Sequence, residues 1–104
     1  MTDNIITPEL VALDANFGGT TTEVITNLAT LVQGAGRATS TDVLAGDALA
    51  REAKSDTGVP GGVAIPHCRS EAVTQPTLAF ARLDPAVNFG GPDGDANLVF
   101  LIAA

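Results

Sequence analysis

The stretch Thr57-Gly58-Val59-Pro60-Gly61-Gly62-Val63-Ala64-Ile65-Pro66-His67 decides how this chain is read. A glycine-rich turn runs into the apolar residues Val63 to Ile65, which read as a short strand. Pro66 carries no N–H and biases Ile65 toward extended backbone, so the strand stops there. His67, the single histidine of the chain, is thereby set at the mouth of a sheet, beside free backbone N–H groups.

The segments on either side supply the rest of an α/β pattern. Upstream, Ile5, Ile6, Leu10, Val11 and Leu13 mark an extended segment interrupted by Pro8. Thr20-Thr21-Thr22-Glu23 fits a capping box, with Thr20 as N-cap and Glu23 three residues on. Val24, Leu28, Leu31 and Val32 follow at helical spacing and give one apolar face, and Gly34 or Gly36 ends the helix. Thr39-Ser40-Thr41-Asp42 caps a second helix that turns Val43, Leu44, Ala48 and Leu49 inward and carries Arg51, Glu52 and Lys54 in its last turn. Downstream, Thr77 to Leu83 reads as a strand, and Pro85 with Gly90-Gly91-Pro92-Asp93-Gly94 as a long turn. Asn97 to Ala104 is nearly all apolar, as expected of a central strand covered on both faces. Helices alternating with apolar strands give the α/β class. A buried strand at Leu98 to Ala104 calls for a further covering helix, so the chain is expected to be one domain over residues 1–104 that is incomplete on its C-terminal side.

Composition excludes several classes of function. Apolar residues make up 45% of the 104, with four Phe and no Trp or Tyr, so the core must be aliphatic. No apolar run approaches the ~20 residues of a membrane span. The net charge of −7 argues against nucleic-acid binding, which needs clustered Lys and Arg. Lys54, Arg37, Arg51, Arg69 and Arg82 are spread along the chain and read as unclustered. Cys68 is alone, so no internal disulfide can form, which fits a reducing compartment. The start Met1-Thr2-Asp3-Asn4 lacks the basic region and long apolar stretch of a secretory signal. A cytoplasmic location is the expectation.

An unperturbed imidazole is about three-quarters neutral at pH 7, and its free lone pair can attack phosphorus. A phosphorylated His67 adds negative charge to an acidic chain, so a nearby cation is needed. At ~4 Å and an effective dielectric of ~20, one opposite charge is worth on the order of 4 kcal/mol before desolvation. Arg51 is the best candidate, because its planar fork can bind phosphate oxygens in pairs. Gly58, Gly61 and Gly62 would let the backbone approach a phosphate and donate N–H groups to it, or are plain turn residues; they are read as shaping the site and not as catalytic. No G-x-x-x-x-G-K-[ST] motif is present, so a nucleotide loop is not indicated. Cys68 and His67 are neighbours in an extended segment and point to opposite faces, which disfavours a Cys–His dyad. One His and one Cys do not make a metal ligand set. Glu52 reads as a helix-surface residue.

These residues carry a family resemblance. Arg51-Glu52, then Thr57-Gly58, then Gly62-Val63-Ala64-Ile65-Pro66-His67 resembles the EIIA domain of the bacterial phosphotransferase system, fructose/mannitol type. The turn Phe89-Gly90-Gly91-Pro92-Asp93-Gly94 and the strand Leu98 to Ala104 are similar to its fructose branch. The resemblance covers most of the chain and is most specific from Arg51 to Cys68. It implies a mixed sheet with helices on both faces. It implies that His67 accepts a phosphoryl group from the carrier protein HPr and passes it to a cysteine of an EIIB domain, so that a sugar is phosphorylated as it enters through a membrane component, EIIC. Arg51 would steady the phosphoryl group, Nε2 would carry it, and Nδ1 would hold the ring by a hydrogen bond. No cofactor is implied. EIIC, fused or associated, would tether the domain to the membrane. Family members continue beyond the last strand into closing helices and a second histidine. Pro60 stands where a small residue is common. Two other readings stay open: a nitrogen-type regulatory relative that acts by binding proteins, and an interaction fragment that transfers nothing. A homo-oligomer burying Leu98 to Ala104 is one way to cover the last strand.

Overall fold

The computed structural model describes residues 4–104, so Met1-Thr2-Asp3, which bear on the signal-peptide reading, lie outside the described residues. The chain begins with a 3-10 turn at Pro8–Leu10, then β1 (Val11–Ala15), α1 (Thr21–Gly34) and α2 (Thr41–Glu52). Three two-residue strands follow: β2 (Gly58–Val59), β3 (Val63–Ala64) and β4 (His67–Cys68). Two long strands, β5 (Thr77–Val87) and β6 (Ala96–Ala103), close the order. Pro8 therefore starts a helical turn, which ends where Leu10 is buried and the chain straightens into β1.

Both helices begin and end as their sequences dictate. Thr20 Oγ1 accepts the Glu23 N–H at 3.1 Å, and the Glu23 carboxylate accepts the Gly19 N–H at 3.2 Å. At the other end Gly36 adopts a φ of 76°, while its N–H donates to Gln33 O and that of Arg37 to Val32 O. That pair of bonds is a Schellman close. Ser40 caps α2 by accepting the Val43 N–H at 3.2 Å. The inward stripe of α2 is Leu44, Ala45, Ala48 and Glu52, with Leu49 partly buried. Val43 lies off it and is 49% exposed, against the expectation that it turns inward. The position is one residue, about 100°, beyond Leu44 at the edge of the stripe.

The sheet order is β1-β5-β6-β3-β2, with β4 also paired to β6. β5 runs antiparallel to β6, while β1 is parallel to β5, and β3 and β4 are parallel to β6. The sheet is therefore mixed and the class α/β, as expected. β5 continues past Leu83 to Val87, passing through Pro85 where the register against β6 shifts. That shift accommodates a residue with no N–H for the ladder.

The alternation of β5 and β6 places the core. Ala79, Ala81 and Leu83 of β5, with Val99, Leu101 and Ala103 of β6, are buried in one cluster with Val24, Ile25, Leu28, Leu44 and Ala48 of the helices. α1 and α2 pack against each other and lie on this one face. On the opposite face Leu78, Phe80, Leu98 and Phe100 are half-buried, and Ile102 is 44% exposed. The Phe80 and Phe100 rings lie 4.8 Å apart there, tilted by 41°. Both helices of the described residues precede the long strands, so helix cover is found on one face of the two expected.

Candidate functional site

β3 and β4 run along β6 in one register. Val63 pairs with Leu98, and His67 with Ile102, at the same offset. Ile65 and Pro66 interrupt the pairing without shifting it. Pro66 is fully buried, and its carbonyl accepts the Ile102 N–H at 3.0 Å. His67 thus lies within a short strand of its own, not in a loop after one. Strand alternation then separates the neighbours. Cys68 pairs with the buried Ala103 and points to the core, while half-buried His67 shares its face with Ile102.

The His67 ring is held by one bond. Its Nδ1 is 2.9 Å from the Ile65 carbonyl oxygen. A carbonyl only accepts, so Nδ1 carries the proton in the neutral ring. The Nε2 lone pair is left free.

His67 opens into a cleft of about 480 Å³ between the end of α2 and the β4 edge. Asp47, Ala50, Arg51 and Lys54 line one side, and Cys68, Arg69 and Ile102 the other. Three of the chain's five Lys and Arg residues therefore gather around the one histidine, with Asp47 the single carboxylate among the lining residues. This corrects the reading of the cations as unclustered. Asp47, Arg51 and Lys54 fall at i, i+4 and i+7, one face of a helix, and that spacing was available in the sequence. Arg69 joins them only because β4 runs beside the helix end. Arg51 Nη1 donates to the Ser55 carbonyl at 3.0 Å, which anchors one arm of the guanidinium fork.

Cys68 offers no rival nucleophile. Burial pushes its thiol above the usual range, and the negative charge of Asp47 adds to this. A thiol held protonated is a poor nucleophile.

The glycines do something other than cradle a phosphate. The Gly58 N–H donates to Phe89 O at 3.1 Å, and the Gly61 N–H to Asp93 Oδ2 at 2.7 Å. Both donors are committed to the loop that precedes β6. A Cβ on Gly58 would meet Gly91 N at 2.5 Å, so glycine is needed here for two backbones to approach. None of the three lines the cleft.

Glu52 also departs from expectation. It is 7% exposed, and its carboxylate accepts from the Thr57 N–H and the Thr57 hydroxyl, each at 2.8 Å. It continues the buried stripe of α2, where a polar group is tolerated because two donors meet it. Among the described residues no group of three or more His, Cys, Asp and Glu is placed to hold a metal ion. No helix among them is long and apolar enough to cross a membrane.

Comparisons with known proteins place the chain in a family. A family model described as "Phosphoenolpyruvate-dependent sugar phosphotransferase system, EIIA 2" matches residues 4–104. The fructose-specific EIIA component of Haloferax volcanii is 38% identical over 99 residues, covering 93% of this chain and 64% of that protein. The fructose-specific EIIABC component of Bacillus subtilis is 38% identical over 82 residues, covering 78% of this chain and 13% of that protein. The chain thus spans less than two thirds of both. In three dimensions it is similar to the nitrogen regulatory protein IIA-Ntr of Neisseria meningitidis, with a TM-score of 0.84 and 31% identity, covering 95% of this chain and 67% of that one.

Proposed function

As the chain belongs to the EIIA 2 family of the phosphoenolpyruvate-dependent sugar phosphotransferase system, we propose that it carries the phosphoryl group on Nε2 of His67. The observation that carries this reading is the 2.9 Å bond from Nδ1 to the Ile65 carbonyl, which leaves the other nitrogen unprotonated in a cleft with three cations. In the first step the Nε2 lone pair forms a bond to phosphorus while the bond to the donor, HPr, breaks. In the second, a cysteine thiolate of an EIIB domain takes the group, the N–P bond breaks, and the electron pair returns to Nε2. Nδ1 keeps its proton throughout, so the ring needs no separate base.

Charge around the cleft supports the same reading. Arg51, Lys54 and Arg69 offset the charge that the phosphoryl group brings to a chain of net charge −7. Arg51 is proposed as the principal contact, since the fork suits two phosphate oxygens. Arg51→Ala is expected to slow phosphoryl uptake by on the order of 100-fold, as removal of an oxyanion-stabilising donor does. Arg51→Lys is expected to recover only part of the loss, because a point charge replaces the fork. Initial rates with labelled phosphoenolpyruvate check both. An Arg51→Ala rate close to that of the unaltered chain would remove Arg51 from the site.

The likeness to two fructose-specific components, with the turn at 89–94, favours supply of a fructose transporter. The domain would then work on the cytoplasmic side, fused to or associated with a membrane EIIC component. The likeness to a nitrogen regulatory protein favours a second reading, in which phosphorylation controls binding to other proteins. Incubation with phosphoenolpyruvate, enzyme I and HPr is expected to add the mass of one phosphoryl group. Addition of a fructose-type EIIB should then discharge it. Uptake without discharge favours the regulatory reading, and no uptake refutes the proposal.

A further inference from the structure

The buried pair Glu52–Thr57 lies outside the cleft but is joined to both of its principal side chains. Glu52 holds Thr57 at two points, through the backbone N–H and the hydroxyl. The Thr57 carbonyl accepts the Ile65 N–H at 3.1 Å. The next carbonyl along, that of Ile65, accepts Nδ1 of His67. On the far side of the Ile65 carbonyl, Pro66 O is fixed by the Ile102 N–H. The carbonyl that sets the tautomer is thus clamped between two backbone bonds, one of which ends on Glu52 through Thr57. The same five-residue loop carries Ser55, whose carbonyl anchors Arg51. One carboxylate therefore fixes the segment that holds the nucleophile at one end and the cation at the other.

We infer that Glu52 and Thr57 are positioning residues that lock the Nδ1–H tautomer of His67 and its alignment with Arg51. Neither touches the phosphoryl group. Thr57 is 7% exposed, like Glu52, so solvent does not offer a substitute for their bonds. Loss of one bond frees the 53–57 loop, lets the Ile65 carbonyl turn, and allows the ring proton to move to Nε2, where it blocks attack. This rests on the reading of His67 as the attacking group, but its first readout is the ring itself and needs no phosphoryl transfer.

The variants are Thr57→Val, which removes only the hydroxyl, Glu52→Gln, which turns an amide toward two donors, and Thr57→Ser, which restores the hydroxyl. In each, the histidine ring nitrogens are observed by ¹⁵N NMR above the imidazole pKa, and uptake from phospho-HPr is timed. The unaltered chain and Thr57→Ser should show Nδ1 protonated and similar rates. Thr57→Val and Glu52→Gln should show a larger Nε2–H population and uptake slower by about 10- to 100-fold, the range for small misplacement of a reacting group. Circular dichroism identifies variants that fold. Should Glu52→Gln not fold, the Thr57→Val and Thr57→Ser pair decides. Folded Thr57→Val with an unchanged tautomer, or Thr57→Ser behaving as Thr57→Val, overturns the inference. A tautomer shift in Thr57→Val, together with no uptake by the unaltered chain, upholds the positioning role and refutes His67 as acceptor.

Discussion

His67→Ala is expected to take up no phosphoryl group from phospho-HPr, while the unaltered chain takes up one. The expectation follows from the absence of a substitute. His67 is the single imidazole, and the neighbouring thiol is buried and held protonated. The fold should survive, because β4 pairs with β6 through backbone groups that alanine retains. The half-buried ring contributes one side-chain hydrogen bond, worth about 1 kcal/mol net. Intact-mass measurement and circular dichroism on the same sample separate loss of chemistry from loss of fold. A variant that folds and still gains one phosphoryl mass would place the acceptor elsewhere.

Leu101→Ala is expected to cost about 2–5 kcal/mol of stability, the range for removing buried leucine methyls and leaving a cavity. Leu101 is fully buried on β6, the strand that pairs with β5 on one side and with β3 and β4 on the other. Small domains have only about 5–15 kcal/mol in all. A loss of that size lowers the melting temperature of a domain near this length by on the order of 10 °C or more. It should also weaken the site, since Ile102, next along the strand, pairs with His67. Thermal unfolding followed by circular dichroism checks this. A shift of about 1–2 °C, well below that range, would show that the central strand is not where the core is anchored.

Capping and periodicity carried most of the fold in the sequence. Thr20, Glu23, Ser40 and Gly36 act locally, through bonds to residues within five positions, so their roles can be read from neighbours alone. The Val63 to His67 stretch likewise placed the histidine on the sheet and the proline that frames it. Long-range pairing was not legible. The strand at Val63 could be expected, but its pairing and the strand at His67 are defined by β6, 35 positions on, and β2 at Gly58 by its pairing with β3; two residues are too few to show a period. Gly58 and Gly61 are legible as turn residues, but not the use of their N–H groups, which meet Phe89 and Asp93, partners that no local rule supplies. Glu52 was misread by residue type. Carboxylates are seldom buried unless paired, and its partner, Thr57, lies across a turn. Arg69 joins Arg51 and Lys54 through the packing of α2 on β4, again a contact between distant parts of the chain.

The proposed chemistry turns on which nitrogen of His67 receives phosphorus. The chain labelled with ¹⁵N-histidine, phosphorylated through phosphoenolpyruvate, enzyme I and HPr, and observed by ¹⁵N NMR answers this directly. The account predicts phosphorus coupling at Nε2, with Nδ1 still protonated and bonded to the Ile65 carbonyl. Coupling at Nδ1, or at neither ring nitrogen of a chain that has gained the phosphoryl mass, would contradict it.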